Sequence, residues 1–114
     1  MNDRAVEILE MSNIRLFCPG ATLTGAPLVC NTGSNATTGT ATTGLLYVYS
    51  TVDFHIKIST ASPATAASTN DAPFPGLTPL LFSVPLGSRV AVVKRDGVAD
   101  GTTWVHNVID TTRV

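Results

Sequence analysis

Residues 46–58 read LYVYSTVDFHIKI. The even positions are Leu46, Val48, Ser50, Val52, Phe54, Ile56 and Ile58, and six of these seven are apolar. The odd positions are Tyr47, Tyr49, Thr51, Asp53, His55 and Lys57. That is a period of two, which puts one face of a strand into a core and turns the other toward water or a neighbouring chain. Ser50-Thr51 interrupts the apolar face at its middle and marks a break or bulge.

The flanking sequence carries shorter strand signals separated by turns. Residues 14–18 alternate, and Pro19-Gly20 is expected to end that strand. Leu28-Val29-Cys30 is a short apolar run. Leu81 to Pro85 leads into the Leu86-Gly87-Ser88 turn, and Pro85 favours an edge or a strand end. Arg89 to Lys94 and Thr102 to Ile109 are the last two strands, with the Asp96-Gly97 and Asp100-Gly101 turns between them. On the last strand Trp104, His106 and Val108 share one face, and Trp104 is expected in the core. Five to seven short strands predict an all-β chain: a small antiparallel β-sandwich or a jelly-roll-like barrel with long irregular loops.

Two stretches stand apart. Residues 31–44 read NTGSNATTGTATTG, with no charge and no side chain larger than Asn or Thr. Such a stretch has little apolar area to offset the entropy of its own ordering. It is expected to be a mobile loop in the free protein, ordered by a partner. Residues 59–80 contain four prolines and form a second long loop, read as a crossover between sheets or a functional loop. Residues 1–13 are an N-terminal arm or a short helix, and residues 14–114 make a single β domain.

Composition limits the function classes. The chain has 114 residues, 13% of them charged, about half the ~25% of an ordinary soluble domain. It holds 17 Thr, 12 Val and 12 Ala, and its net charge is -1. This balance argues against a nucleic-acid partner, and no apolar run reaches the ~20 residues of a membrane span. The N-terminus lacks the pattern of a secretory signal, so synthesis in a reducing cytoplasm is expected. Cys18 and Cys30 are then read as two buried thiols, with a disulfide as the alternative.

Chemistry is sparse. His55 stands beside Asp53 and Lys57 on the outward face, and the simpler reading is a solvated surface. No third ligand is positioned for a metal, and no nucleophile, base and orienting group share a recognisable spacing. No catalytic residue, metal or cofactor is assigned, and a small-molecule ligand is not expected. The candidate interface comprises Tyr47 and Tyr49, with Asn35, Thr37, Thr38 and Thr40 from the uncharged segment. Phe74 and Leu77 complete it, and are also expected to anchor the second long loop to the core. The two tyrosines have two readings: interface anchors, or residues covered by that loop.

The segment Leu45–Ile109 resembles a group of small structural proteins of tailed bacteriophages. The matching residues are Val52–Ile58, the small-residue loop Ala61–Thr69, Pro75-Gly76, Phe82–Pro85, Gly87 and Arg89–Val93. The resemblance implies a β-sandwich built into a virion and made in the cytoplasm of a bacterial host. Its role would be a capsid decoration or cement protein, oligomeric, with the major capsid protein or another virion protein as partner. A neck, tail or fibre-base component is the alternative within the virion, and a carbohydrate-binding host-recognition module is the alternative outside that class.

Overall fold

The computed structural model describes residues 17–23 and 26–110. The expected N-terminal arm, the strand start at 14–16 and the end of the C-terminal tail lie outside them. Nine strands are described, in chain order: β1 Phe17–Thr22, β2 Leu28–Cys30, β3 Asn35–Ala36, β4 Leu45–Ser50, β5 Phe54–Ser59, β6 Ala72–Phe74, β7 Leu80–Ser83, β8 Arg89–Lys94 and β9 Gly101–Asp110. All pairings are antiparallel. One sheet runs β1-β9-β4-β7, with β2 also paired to β9, and the other runs β3-β8-β5-β6.

The topology follows from nested pairing. β1 and β2 both pair with β9 and act as one interrupted strand. Counted so, eight strands pair first with last (β1/β2 with β9), second with seventh (β3 with β8), third with sixth (β4 with β7) and fourth with fifth (β5 with β6). Folding that long hairpin over on itself adds the β4–β9 and β5–β8 pairs. The result is the strand order of a jelly roll, an all-β sandwich of two sheets.

The alternating stretch turns the corner between the sheets. β4 lies in the five-stranded sheet and β5 in the four-stranded one, with residues 51–53 joining them. Leu46, Val48, Phe54 and Ile56 are all buried in one core, so the even positions face inward on both sides of the corner. Val90 and Val92 of β8 and Val105 of β9 close that core. Ser50, the polar exception, is fully buried at the corner. Its hydroxyl donates to the Val52 carbonyl at 2.8 Å and lies 3.1 Å from Thr103 Oγ1, so its burial leaves no polar atom stranded.

Several expectations are corrected. Pro19-Gly20 does not end β1, which runs on to Thr22 with a register shift between Pro19 and Thr22. β1 lies at a sheet edge, where a proline costs no ladder bond and a bulge absorbs the irregularity. Asp100-Gly101 is not a second turn, because Gly101 opens β9. The segment 59–80 does cross between the sheets, but not as one irregular loop: residues 60–71 join β5 to β6 within the four-stranded sheet, and residues 75–79 carry the chain over to β7 in the other. β7 lies at an edge, as Pro85 predicted.

The uncharged segment 31–44 is ordered by its own chain, against the expectation of a loop awaiting a partner. It contains β3, and Thr37 and Ala41 are buried. The Thr37, Gly39 and Ala41 amides donate to the carbonyls of Val90, Leu23 and Ser88. Small side chains are what allow this: at Gly39 a Cβ would collide with the Leu23 carbonyl. Backbone bonding to the sandwich replaces the apolar area that the segment lacks.

Candidate functional site

The two sheets treat their outer faces differently. On the four-stranded sheet, His55 is buried beneath the 60–71 connection, not solvated. Its Nδ1 lies 2.9 Å from the Asp71 carbonyl oxygen. Ala67 of that connection packs on Ala91 and Val93 of β8. Further ties come from the Ala67 amide, which donates to Ser34 Oγ at 2.8 Å, and from Lys57, which reaches Asp71 at 3.5 Å. His55 is therefore a structural histidine under a strap.

The outer face of the five-stranded sheet carries aromatic side chains. Register across β4 and β9 sets Tyr47 opposite His106 and Tyr49 opposite Trp104. Leu81 of β7 sits opposite Tyr47 on the other flank. These positions alternate with the buried Leu46, Val48 and Val105, so they point away from the core. The Tyr47 and His106 ring centroids are 6.4 Å apart, edge to face, and those of Tyr49 and Trp104 are 6.0 Å apart and tilted. Both distances fall within the range of attractive aromatic pairs. Tyr47, Tyr49, Trp104 and His106 are all partly exposed, and Leu81 and Val29 at the flanks are exposed.

No Asp, Glu, Lys or Arg occupies an outward position of β2, β4 or β7, or of residues 102–108 of β9. The formal charges gather elsewhere. Asp53 pairs with Arg95 at 3.0 Å, and Lys94 with Asp100 at 2.9 Å. The Gly76 amide donates to Asp53 Oδ1 at 2.8 Å, and this bond, aided by Arg95, holds the Asp53 carboxyl below the ordinary carboxylate range. An aromatic face without Asp, Glu, Lys or Arg can stack planar or apolar groups with little desolvation cost.

The other expected interface residues scatter. Thr37 is buried and serves the fold: its Oγ1 accepts from the Val90 amide at 3.1 Å and donates to Gly39 O at 3.2 Å. Asn35 is half-buried and ties its side chain back to Asn31 Oδ1 at 2.9 Å. Thr38 is exposed and Thr40 half-buried. Thr37 and Thr38 line an open groove of about 410 Å³ with Pro63, Ala64 and Arg89. Phe74 does anchor its loop, packing at 5.1 Å between centroids on Phe82 and at 6.1 Å on Phe54. The Leu77 side chain does not anchor the loop, being 70% exposed, although its amide donates to the Ser50 carbonyl at 2.7 Å.

Sequence reasoning did not bring His106, Leu81 and Val29 to this outer face. Trp104 was expected in the core and lies on the opposite face. The cue was present, since Trp104 alternates with Val105, but only the β4–β9 register shows that Val105 is the inward partner. Cys30 is a free, buried thiol. Among the described residues no group of three or more His, Cys, Asp and Glu could hold a metal ion.

No protein-family model matches this chain, and neither the curated proteins nor the solved structures contain a significant match. The jelly-roll assignment rests on strand order alone.

Proposed function

We propose that this protein is a non-enzymatic structural protein of a tailed-bacteriophage virion, which decorates or cements the head. It docks through the outer face of its five-stranded sheet onto the capsid shell. The observation that carries this reading is the uncharged row Leu81–Tyr47–His106 with its neighbour Tyr49–Trp104. Tyrosine and tryptophan are the residue types most enriched where protein surfaces meet, and charge is depleted at the centre of such contacts. A jelly roll is a frequent capsid-associated architecture, and this analogy of fold supports the reading.

The test is the protein's copy number in purified particles, together with the heat and low-salt resistance of heads assembled without it. Hundreds of copies and fragile heads support a cement role. A dozen copies or fewer moves the protein to the neck, tail or fibre base. Heads equally resistant without it remove the cement role.

A second reading is favoured by one observation. Trp104 is on the surface beside Tyr49, and exposed aromatic rings also stack on sugars. Glycan-array binding that is lost in Tyr47→Ala or Tyr49→Ala would support a carbohydrate-binding module instead.

A further inference from the structure

The connection from β8 to β9 carries two Asp-Gly pairs, Asp96-Gly97 and Asp100-Gly101. Such a pair is open to a backbone reaction in which the glycine nitrogen attacks the aspartyl side-chain carbonyl carbon and closes a five-membered ring. Glycine favours the reaction, because no side chain shields its nitrogen and its backbone turns freely. A fold suppresses it by holding the carboxylate or by fixing the amide in a strand ladder. The two pairs are alike in sequence, and their surroundings tell them apart.

Asp96-Gly97 is open on each count. The pair forms the middle of a turn closed by the Val98 amide, whose bond to the Arg95 carbonyl is long at 3.4 Å. Both residues are exposed. Gly97 has a φ of 88°, and no heavy atom lies within 4 Å of the place a Cβ would take. Among the described residues no hydrogen bond or ion pair holds the Asp96 carboxylate, and no acceptor takes the Gly97 amide.

Asp100-Gly101 is closed. Asp100 Oδ1 lies 2.9 Å from Lys94 Nζ. Gly101 is the first residue of β9 and pairs with Cys30 of β2. The side chains of Thr51 and Val52 crowd its Cα, so its backbone has no room to swing toward the carboxylate.

We infer that Asp96 is a site of spontaneous isoaspartate formation in the folded protein, and that Asp100 is protected. The protonated Asp96 carboxyl loses its hydroxyl, and the Gly97 nitrogen loses its proton, as the new N–Cγ bond forms; the two leave together as water. The product is a succinimide. Solvent water then reopens the ring. Attack at the side-chain carbonyl restores aspartate, and attack at the main-chain carbonyl leaves isoaspartate, with its carboxylate on Cα and its backbone running through Cβ and Cγ. No oxidant or cofactor is consumed, and the mass returns to its starting value. The isoaspartyl carboxylate is the group that protein isoaspartate methyltransferases esterify with S-adenosylmethionine, so the aged turn is a substrate for that class of enzyme. The added methylene falls in a connection between the two sheets, next to the Arg95 that pairs with Asp53. This chemistry needs no partner and stands apart from the virion role.

The experiment ages the purified full chain at pH 6, well below its melting temperature, beside Asp96→Glu, Asp100→Glu and a urea-unfolded wild-type control. Isoaspartate is measured by methyl transfer from labelled S-adenosylmethionine and assigned to a residue by fragmentation mass spectrometry. In the folded wild type it is expected to accumulate at residue 96 at least about tenfold faster than at residue 100. In urea the two rates are expected within about threefold of each other, because the surroundings that separate the pairs are gone. Asp96→Glu, which would need a larger ring, is expected to lose nearly all the signal of the folded chain, and Asp100→Glu to keep it. Folded wild type that reacts at residue 96 no faster than at residue 100 would overturn the assignment. So would a contrast that persists unchanged in urea, because it would then come from local sequence and not from the fold.

Discussion

Thr37 and Val90 hold each other reciprocally. The Thr37 amide donates to the Val90 carbonyl at 2.8 Å, and the Val90 amide donates to Thr37 Oγ1 at 3.1 Å. A threonine from the charge-free segment thus completes the outer edge of β8 just beyond the two-residue strand β3. The side-chain oxygen does what a backbone carbonyl would do in a longer strand, so a stretch without apolar bulk is still fastened to the sandwich.

Replacing Thr37 by valine keeps the shape and removes the acceptor. The buried Val90 N–H then loses its partner, at a cost of about 1–3 kcal/mol. Thermal melting should fall by roughly 4–8 °C for each kcal/mol lost. Hydrogen exchange on the free wild-type protein should show protected amides at Thr37, Gly39 and Ala41. Rapid exchange at all three, with no stability change in Thr37→Val, would return the segment to the status of a partner-ordered loop.

Asp53 links acid stability to the corner of the sandwich. Its folded carboxyl sits below the ordinary value of 3.8, because the Gly76 amide and then Arg95 favour the charged form. A lowered carboxyl contributes stability that is complete above the unfolded value and disappears as pH falls through the folded one. Melting temperature measured from pH 7 to pH 2 should therefore fall less steeply below about pH 4 in Asp53→Asn than in wild type. Parallel curves would show that this carboxylate is not linked to folding.

Cys30 is fully buried, and burial pushes its thiol up from the ordinary value. Hydroxyls of Thr103 and Ser50 offset part of that shift. A raised, inaccessible thiol is unreactive. In a Cys18→Ser variant, a thiol reagent at pH 8 should label less than a tenth of the protein in its native state within an hour, and all of it after denaturation. Fast native labelling would mean that the β2–β9 edge opens readily.

The alternation over 46–58 made the core legible, because a period of two assigns inward and outward residues without knowledge of the partner strand. It could not show that the inward set serves two sheets. Ser50 breaks the pattern where the chain turns the corner, and its burial depends on Thr103, 53 residues away. His55 and Tyr47 look alike in sequence, both outward on the same alternation. What separates them is the strap 60–71, which covers one face of the molecule and leaves the other open. Trp104 joins Tyr49 only through long-range register, which no local pattern encodes. Thr37 shows a related limit: composition predicts a loop that only a partner orders, and backbone bonds to the distant residues Leu23, Ser88 and Val90 overrule it.

The central claim is that the uncharged aromatic face docks on the virion head, and co-sedimentation of face variants with heads lacking this protein tests it most directly. Trp104→Ala and Leu81→Lys change the exposed side of β9 and β7 and leave the inward residues intact, so both should stay folded by melting and circular dichroism. The account predicts that Trp104→Ala weakens head binding by about thirtyfold, the scale of an aromatic hot spot, and that Leu81→Lys weakens it by at least tenfold. Folded variants that bind heads as tightly as wild type would contradict it.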